Sequence, residues 1–236
     1  MKIPQHIGYI VDGNRRWAKA QNLPTLEGHK RGFEVLKQIV EISFSRGVKF
    51  VSAYIFSTEN WNRSAEEVGY LMRLFENYFS KEIRELHDKN IRVLFAGNRT
   101  ENVSKKLVKI MEKAEEMTAK NTAGTLVLCF NYGGQLEIME AVQQIAEKVR
   151  SGEISPAEIT KVTLEQNLYT PEVPPVDLMV RTSGEQRISN FQLWRMAYAE
   201  MLFLDKAWPD MTTEDVDFCL ESYQNRDRRM GGDSKK

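Results

Sequence analysis

Cysteine is scarce in this sequence, with two residues among 236, and this scarcity excludes a framework of disulfides. Cys129 lies in the apolar run TLVLCFNY, and Cys219 lies in a helical pattern near the end of the chain. Neither belongs to a cysteine and histidine spacing that would bind zinc. We therefore expect two buried thiols in a protein of a reducing compartment.

An excess of charge of either sign is also absent, because lysine plus arginine and aspartate plus glutamate each total 33. Such a chain has no global field that would draw it to nucleic acid or to an anionic membrane. The lysines at 105–109 have no interleaved aromatic residues, so they predict a solvated helix face and no nucleic-acid site. Attraction for an anionic ligand must come from local clusters of basic residues.

Long hydrophobic runs and nucleotide-binding motifs are missing as well. No stretch approaches the roughly 20 apolar residues that span a bilayer, and the first residues, MKIPQHIG, do not resemble a signal peptide. These absences predict a cytoplasmic protein and leave open a peripheral contact with the inner face of a membrane. Neither G-x-x-x-x-G-K-[ST] nor a G-x-G-x-x-G after a strand is present, so ATP and NAD are not the expected ligands.

The most informative stretch that is present is HIGYIVDGNRRW, near the start of the chain. Its apolar half predicts a buried strand, Gly13 and Asn14 end that strand, and a helix follows. Asp12 then lies at the strand's carboxyl end beside backbone N–H groups and arginines, which suits a metal-assisted contact with a phosphate group. The alternative is that Asp12 only caps the helix while Arg15 and Arg16 lie in water.

Strands and helices alternate along the chain, which predicts one α/β domain over 1–236 with a central, mostly parallel six-stranded sheet flanked by helices. The strands are predicted at 7–11, 50–56, 92–96, 125–131, 178–182 and 201–204. The helices are predicted at 15–21, 28–45, 68–86, 101–121, 136–150 and 213–225, with a short one near 164. Residues 226–236 form a basic, glycine-rich tail.

Loops at the carboxyl ends of parallel strands meet at one edge of the sheet, where such sheets bind ligands. The four loops predicted there are rich in arginine, serine, asparagine and glycine: DGNRR, STENWNR, NYGG and RTSGEQRIS. These residue types bind diphosphates through guanidinium contacts, hydroxyl groups and close backbone approach. The helix at 68–86 carries a wide apolar stripe, which suits either a core alone or a core and a groove for an apolar tail.

Six sequence blocks occur in order: HIGYIVDGNRRWAK, GHKRG, FSTENWNR, NYGG, RTSGEQRISNFQLW and AYAE followed by WPD. In sequence and spacing they resemble the cis-prenyltransferases of the undecaprenyl diphosphate synthase type, over 6–232. The resemblance implies a homodimeric, Mg²⁺-dependent enzyme that condenses isopentenyl diphosphate with an allylic prenyl diphosphate and releases diphosphate. The product would be a Z-polyprenyl diphosphate for carrier lipid synthesis, held in an apolar tunnel between the sheet and two helices.

The same resemblance assigns roles to the matching residues. Asp12 would hold Mg²⁺, Glu200 would be a second metal ligand, and Asn60 stands where the family has its suggested proton acceptor. Because an amide is a poor base, we expect Asn60 to position the proton's route toward the released diphosphate. The implied substrate-binding residues are Gly13, Asn14, Arg15, Arg16, Trp17 and His29 at the allylic diphosphate, Ser57, Thr58, Glu59, Trp61 and Arg63 in a mobile loop, Arg181, Arg187, Ile188 and Ser189 at isopentenyl diphosphate, and Arg229 and Gly231 in the tail that would reach the dimer partner.

Three residues depart from the common family pattern. Thr25 stands where the family commonly has an arginine, four residues before the histidine of the GHK block. Arg15 stands in place of a small residue, and we hypothesise that it supplies the cation that Thr25 lacks. Ile55 stands where many long-chain members carry alanine, which predicts a shorter product if strand register turns it toward the groove.

Two rival functions use the same residues. A metal-dependent phosphohydrolase of the haloacid dehalogenase type needs a second aspartate two positions after Asp12, and Asn14 stands there instead. A non-catalytic partner subunit of a prenyltransferase would lose the metal carboxylate, whereas Asp12 is retained. Both rivals are therefore less favoured than the prenyltransferase.

Overall fold

A computed structural model of the protein describes residues 2–227. In this part of the chain the strands are β1 His6–Ile10, β2 Phe50–Ser57, β3 Ile91–Ala96, β4 Gly124–Tyr132, β5 Leu178–Arg181 and β6 Glu200–Phe203. The α-helices are α1 Asn14–Ala20, α2 Thr25–Ser45, α3 Ala65–Asp88, α4 Lys105–Thr118, α5 Gly134–Arg150, α6 Lys161–Asn167 and α7 Thr213–Gln224. Short 3₁₀ helices span Thr58–Asn62, Pro156–Glu158 and Trp208–Asp210.

The six strands form one sheet in the order β3-β4-β2-β1-β5-β6, and every pair of neighbours in it is parallel. The predicted single α/β domain is therefore confirmed. β1 lies near the centre, and all five of its residues are buried, as expected for a strand covered on both faces. From β1 the chain adds β2, then β3 at the edge and β4 between β2 and β3, and it returns to add β5 and β6 on the other side of β1.

Three helices differ from the prediction by three residues or more at one end or both: α2, α4 and α3, which begins at Ala65 and not at 68. α2 begins at Thr25, three residues earlier than predicted, directly after Pro24, whose extended backbone forms the N-cap. α4 begins only at Lys105, because Ser104 caps it and Asn102 has a positive φ of 61° that no helix contains. Apolar periodicity detects the face of a helix, whereas these ends depend on backbone geometry at single residues.

The two faces of the sheet carry different cores. One face packs against α2, α3, α4 and α7 around large aromatic side chains, including Phe56, Phe75 and Phe79. The other face packs against the irregular segment that contains Val176 and Phe191. The prediction of two buried thiols is confirmed, since Cys129 and Cys219 are both buried and free.

Two glycines let α1 and α2 approach closely. A Cβ at Gly28 would lie 2.0 Å from the carbonyl oxygen of Asn14, and one at Gly32 would lie 2.3 Å from the Asn14 side-chain oxygen. Real Cβ atoms do not come so near to oxygen, so a larger residue at Gly28 requires movement of the α1 backbone, and one at Gly32 requires movement of the Asn14 side chain. The glycines of the GHKRG block therefore place the start of α1 against α2.

We predict that Gly28→Ala destabilises the protein by about 1–3 kcal/mol, because α1 must move away from α2 to admit the methyl group. Gly69→Ala is the matched control, since a Cβ there meets only a guanidinium nitrogen of Arg73 at 3.6 Å. This control should be neutral or more stable by up to about 1 kcal/mol, because alanine favours a helix. Urea unfolding curves of both variants test the prediction, which equal midpoints would contradict.

Candidate active site

An open cavity of about 600 Å³ lies at the carboxyl edge of the sheet. The ends of the adjacent strands β1, β2 and β5 contribute to its lining, together with α2 and α3. A second cavity of about 730 Å³ adjoins it at α1. Both are lined by Val11, Asp12, Asn14, His29 and Arg63. The chain reverses its direction of growth at these strands, and such switch points are the usual ligand sites of parallel sheets.

The first cavity has an apolar part in its lining. Phe33 and Leu36 of α2, Leu71 of α3 and Ile55 of β2 contribute to it. Ile55 therefore faces the cavity, a point that the sequence left open. These are the two helices and the strand of the predicted groove, and the full tunnel stays a prediction.

Asp12 lies where β1 ends and makes three contacts. Its Oδ2 accepts a hydrogen bond from Arg181 at 2.9 Å and lies 3.3 Å from Arg16, and its Oδ1 accepts the N–H of Gly13 at 2.7 Å. The N-cap of α1 is Gly13, in the left-handed region with φ 103° and no side-chain cap. Asp12 is thus not the helix cap, which argues against the first half of the alternative raised from the sequence. Arg16 is paired, although the side chains of Arg15 and Arg16 keep 61% and 52% of their exposure.

The pKa of Asp12 follows from this environment. Partial burial by itself raises the pKa, but the hydrogen bond and charge of Arg181, the Gly13 N–H and the charge of Arg16 together hold the pKa below its ordinary value. Asp12 is therefore ionised at neutral pH. Its side chain keeps 29% of its exposure, so a ligand or an ion can still reach the carboxylate.

Arg181 connects Asp12 to the loop after β5. Its guanidinium is buried, and it donates to Ser189 Oγ at 2.7 Å and to the carbonyl oxygen of Arg187 in addition to Asp12. Its buried Nε has no hydrogen-bond partner within the described residues. Glu185 pairs with both Arg16, at 3.0 Å, and Arg187, so this loop also contacts α1. Three of the predicted residues for one diphosphate thus lie together beside Asp12.

The segment 57–63 contains the 3₁₀ helix Thr58–Asn62 and is stabilised by hydrogen bonds between its own residues. Asn60 accepts the backbone N–H of Ser57 through its side-chain oxygen at 3.1 Å, and the two residues form a capping box. Thr58 donates to Glu59 at 3.1 Å. An amide oxygen that already accepts a backbone N–H supports a positioning role for Asn60 and no role as a base.

Other elements hold the same segment in place. Asn190 donates to Glu59 at 3.0 Å, and Trp61 donates through its indole nitrogen to the Asn131 side chain at 2.7 Å. Arg63 donates to Glu67 at 3.0 Å. The loops after β2, β4 and β5 are therefore joined by side-chain hydrogen bonds at this edge.

His29 of α2 lies at the boundary of the two cavities. Its Nε2 is 3.2 Å from a carboxylate oxygen of Glu67. Burial lowers the pKa of His29 below its ordinary value, against the opposing effect of the hydrogen bond to Glu67. The imidazole is therefore mainly neutral at pH 7.

Known proteins are similar to this chain in sequence and in fold. The family model described as "Putative undecaprenyl diphosphate synthase" matches residues 10–231. An isoprenyl transferase of Thermotoga maritima is 46% identical, with 98% of each chain covered. A ditrans,polycis-undecaprenyl-diphosphate synthase of Micrococcus luteus, (2E,6E)-farnesyl-diphosphate specific, is 43% identical over 98% of this chain and 92% of that protein. The structure of lavandulyl diphosphate synthase from Lavandula x intermedia in complex with dimethylallyl diphosphate aligns with a TM-score of 0.93 and 34% identity, covering 97% of this chain and 98% of that one.

The chain belongs to the cis-prenyltransferases. The resemblance seen in the six sequence blocks is confirmed, and the comparisons support a prenyltransferase over the phosphohydrolase and the non-catalytic subunit. The coverage extends over nearly the whole chain, so the relation applies to the entire fold.

Some residues predicted for the site of this cis-prenyltransferase line neither cavity, and two others lie outside the described residues. Trp17 lines neither cavity, and its indole donates to Asp210 at 2.7 Å. Ile188 packs against the second core. Arg229 and Gly231 lie outside the described residues.

Glu200 lies away from Asp12 within the chain. It opens β6 and pairs with Leu178 at the amino end of β5, whereas Asp12 lies beyond Arg181 at the carboxyl end. Its carboxylate pairs with Arg226 at 2.9 Å. Within one chain the two carboxylates therefore do not form a shared metal site, and no cluster of three potential metal-ligating residues occurs in 2–227. The role of Glu200 as a second metal ligand therefore stays a prediction.

Several residues of the cis-prenyltransferase site were missed. Tyr54, Phe33 and Asn190 line the first cavity, and Glu67 joins His29 to Arg63. A spacing of one helical turn between Arg63 and Glu67 was the available signal. The cavity residues gave no such signal, because lining residues look like ordinary core in sequence.

We predict that Arg181→Met destabilises this cis-prenyltransferase by about 2–3 kcal/mol, because it leaves the carboxylate of Asp12 partly buried without its main partner. Arg150→Met, at the exposed end of α5, is the control, and its ion pair with Glu147 contributes little because both side chains are largely exposed to solvent. Urea unfolding at neutral pH measures both variants. Equal losses in the two variants would contradict the prediction.

The stability difference between wild type and Arg181→Met should also depend on pH. The folded pKa of Asp12 is depressed in the wild type, so its contribution is complete above the ordinary value of 3.8 and is lost as pH falls through the folded pKa. The difference should therefore shrink in acid. A difference that stays constant from neutral pH to below 3.8 would assign the loss to packing alone.

Proposed function

We propose that this cis-prenyltransferase condenses isopentenyl diphosphate with an allylic prenyl diphosphate, forms a Z-polyprenyl diphosphate and releases diphosphate. One observation carries the proposal: Asp12, paired with buried Arg181, lies in a cavity whose lining is cationic in one part and apolar in another. A prenyl diphosphate has the same division into an anionic head and an apolar chain. The undecaprenyl and polyprenyl diphosphate synthases among the relatives support this choice of substrates.

The two diphosphates need separate groups of donors. The allylic diphosphate is placed in the second cavity, where Arg15, Arg16 and Lys19 accompany the start of α1. Backbone N–H groups at a helix start add to this attraction for an anion. Isopentenyl diphosphate is placed beside Arg187 and Ser189, which Arg181 already holds near Asp12.

The chemistry explains why arginines and an apolar wall are required together. Ionisation of the allylic substrate places charge on the leaving diphosphate, and guanidinium groups that face it stabilise that charge. The carbon fragment becomes a cation that water would capture, so the apolar residues around Leu36 protect it. The double bond of isopentenyl diphosphate then attacks this cation and forms the new C–C bond, and the adduct loses a proton from the carbon beside its cationic centre to give the new double bond. Asn60 positions the route of that proton toward the released diphosphate.

Mg²⁺ is the proposed cofactor, with Asp12 as its protein ligand. The fit rests on the ionised and partly exposed carboxylate, since Mg²⁺ commonly binds through one or two carboxylates, water and substrate phosphates. When bound, the ion neutralises charge on the leaving group. Glu200 lies too far along the sheet to act with Asp12 in the same chain, so a role for it requires a second copy.

A homodimer is proposed for the same reason. β6 is the last strand of the sheet, and its residues Met201, Leu202 and Phe203 remain partly exposed. An uncovered edge strand presents unpaired backbone N–H and C=O groups, so it favours pairing with another chain. A second copy would cover it. The two free thiols support a cytoplasmic enzyme, and a long apolar product supports peripheral contact with the membrane that receives it. Among residues 2–227 no helix combines the length and the apolar character needed to cross a bilayer.

Incubation with Mg²⁺, farnesyl diphosphate and labelled isopentenyl diphosphate tests the function. We expect a labelled prenyl diphosphate, whose length on chromatography reports how far Ile55 and Phe33 limit the chain. Free phosphate alone would indicate a phosphohydrolase. No reaction in the presence of folded protein would indicate a non-catalytic subunit.

We predict that Asp12→Asn lowers kcat by on the order of 10²–10³-fold, because a major electrostatic group at the leaving diphosphate is lost. Asp88→Asn is the control, since Asp88 is exposed at the far end of α3. The same labelled assay measures both. Near-normal turnover of Asp12→Asn would contradict the role that we propose for Asp12 in the reaction.

We predict that Arg15→Ala raises the KM for the allylic diphosphate and leaves the KM for isopentenyl diphosphate nearly unchanged. Arg15 and Thr25 line the same cavity, so Arg15 can supply the cation that Thr25 lacks. Loss of one charge-assisted contact corresponds to an increase of roughly 10-fold or more. Arg31→Ala, on α2 and outside both cavities, is the control for loss of a helical arginine.

A further inference from the structure

Glu67 lies in the first turn of α3 and is buried, an uncommon place for a carboxylate. Its backbone N–H is bound by the side chain of Ser64, the N-cap of the helix, at 3.3 Å. The position of Glu67 is therefore set by a capped helix and not by a flexible loop. A buried carboxylate requires partners, and their identity indicates what it does.

Three basic groups from three different elements meet this carboxylate. Arg63, at the end of the 57–63 segment, donates to it at 3.0 Å, and His29 of α2 lies at 3.2 Å. Arg15 of α1 lies at 3.8 Å from its other oxygen. All three line the second cavity, and two of them also line the first, whereas Glu67 lines neither. Glu67 thus contacts the proposed diphosphate-binding groups from behind.

The charges in this cluster are partly compensated before any ligand binds. Burial by itself raises the pKa of Glu67. The opposing effects of Arg63, His29 and Arg15 are together larger, so the pKa lies below its ordinary value. The ionised carboxylate offsets part of the positive charge of the two arginines. It also fixes the direction of their donors, since each guanidinium has a rigid set of N–H groups.

Glu67 also holds the carboxyl end of the 57–63 segment through its ion pair with Arg63. Ser57 and Asn60 hold the amino end of this segment, and Asn131 and Asn190 hold its middle through Trp61 and Glu59. At the carboxyl end the anchor is the ion pair of Arg63 with Glu67. The pair joins the segment to a helix that carries the apolar wall of the cavity.

We propose that Glu67 is a positioning residue that holds Arg15, His29 and Arg63 in one arrangement toward the allylic diphosphate and offsets part of the positive charge of the two arginines until the substrate binds. The proposal rests on the proposed function for its substrate. A neutral residue in place of Glu67 should have two opposite effects. Loss of the negative charge strengthens binding of a diphosphate anion, and loss of orientation lowers the rate of the chemical step.

Glu67→Gln tests this proposal, because it keeps the shape and one acceptor oxygen but removes the charge. Glu66→Gln is the matched control, since Glu66 is exposed in the same turn of α3 and lies equally near the helix start. We expect Glu67→Gln to lower kcat by on the order of 10- to 100-fold, as misplacement of binding groups does. Inorganic pyrophosphate should bind several-fold more tightly by calorimetry, and the amide hydrogens of 58–63 should exchange faster.

Glu66→Gln should change none of these quantities. A kcat of Glu67→Gln equal to that of Glu66→Gln would overturn the proposal, as would weaker pyrophosphate binding in a variant with an unchanged melting temperature. A merely structural role would lower the melting temperature and weaken binding together. If Glu67→Gln does not fold, Glu67→Asp replaces it, because the charge is kept but the shorter side chain cannot reach all three partners. Wild-type kcat in that variant would overturn the proposal equally.

Failure of the proposed function would be recognised separately. Wild-type protein that forms no prenyl product would disprove that function. Pyrophosphate binding and amide exchange need no turnover, so they would still decide whether Glu67 orders these three groups.

Discussion

The ion pair between Asp12 and Arg181 is the interaction on which the site depends. It joins the ends of two adjacent parallel strands, since Ile10 and Arg181 are partners in the sheet and Asp12 follows two residues later. Through the other donors of the buried guanidinium, the pair also fixes Ser189 and the backbone at Arg187. A buried ion pair is a poor source of net stability, because desolvation offsets most of the attraction. Its use here is geometric, as it holds an anionic and a cationic group at the head of one cavity.

The same logic extends to the other basic residues around the cavity. Glu185 compensates Arg16 and Arg187, and Glu67 compensates Arg63 and, more weakly, Arg15. A cluster of free arginines would repel itself and would destabilise the folded chain in the absence of ligand. Carboxylates paired with these arginines offset the repulsion and keep the guanidinium donors in place. Such an arrangement suits the two diphosphates that we propose as substrates.

Much of the fold could be predicted from residue patterns. Alternating apolar segments and helical periodicity indicated six strands and their order along the chain, and the loops at the strand ends indicated where polar chemistry collects. Element ends were less predictable, as α2 and α4 show, because Pro24 and Ser104 act through local backbone geometry. The surroundings of Glu200 were less predictable as well: the predicted strand at 201–204 put it at the amino end of β6, but only the tertiary structure shows that its carboxylate pairs with Arg226.

The sequence by itself determined the family, the parallel α/β architecture and the identity of the principal charged residues, because six blocks and the hydrophobic periodicity are local properties of the chain. Only the tertiary structure decided which of these residues meet. The contact between Arg63 and Glu67 was within reach of helical spacing, but its extension to His29 and Arg15 was not. The facing of Ile55 into the cavity likewise depends on strand register. Long-range contacts of this kind are set by packing of distant elements, which no local pattern records.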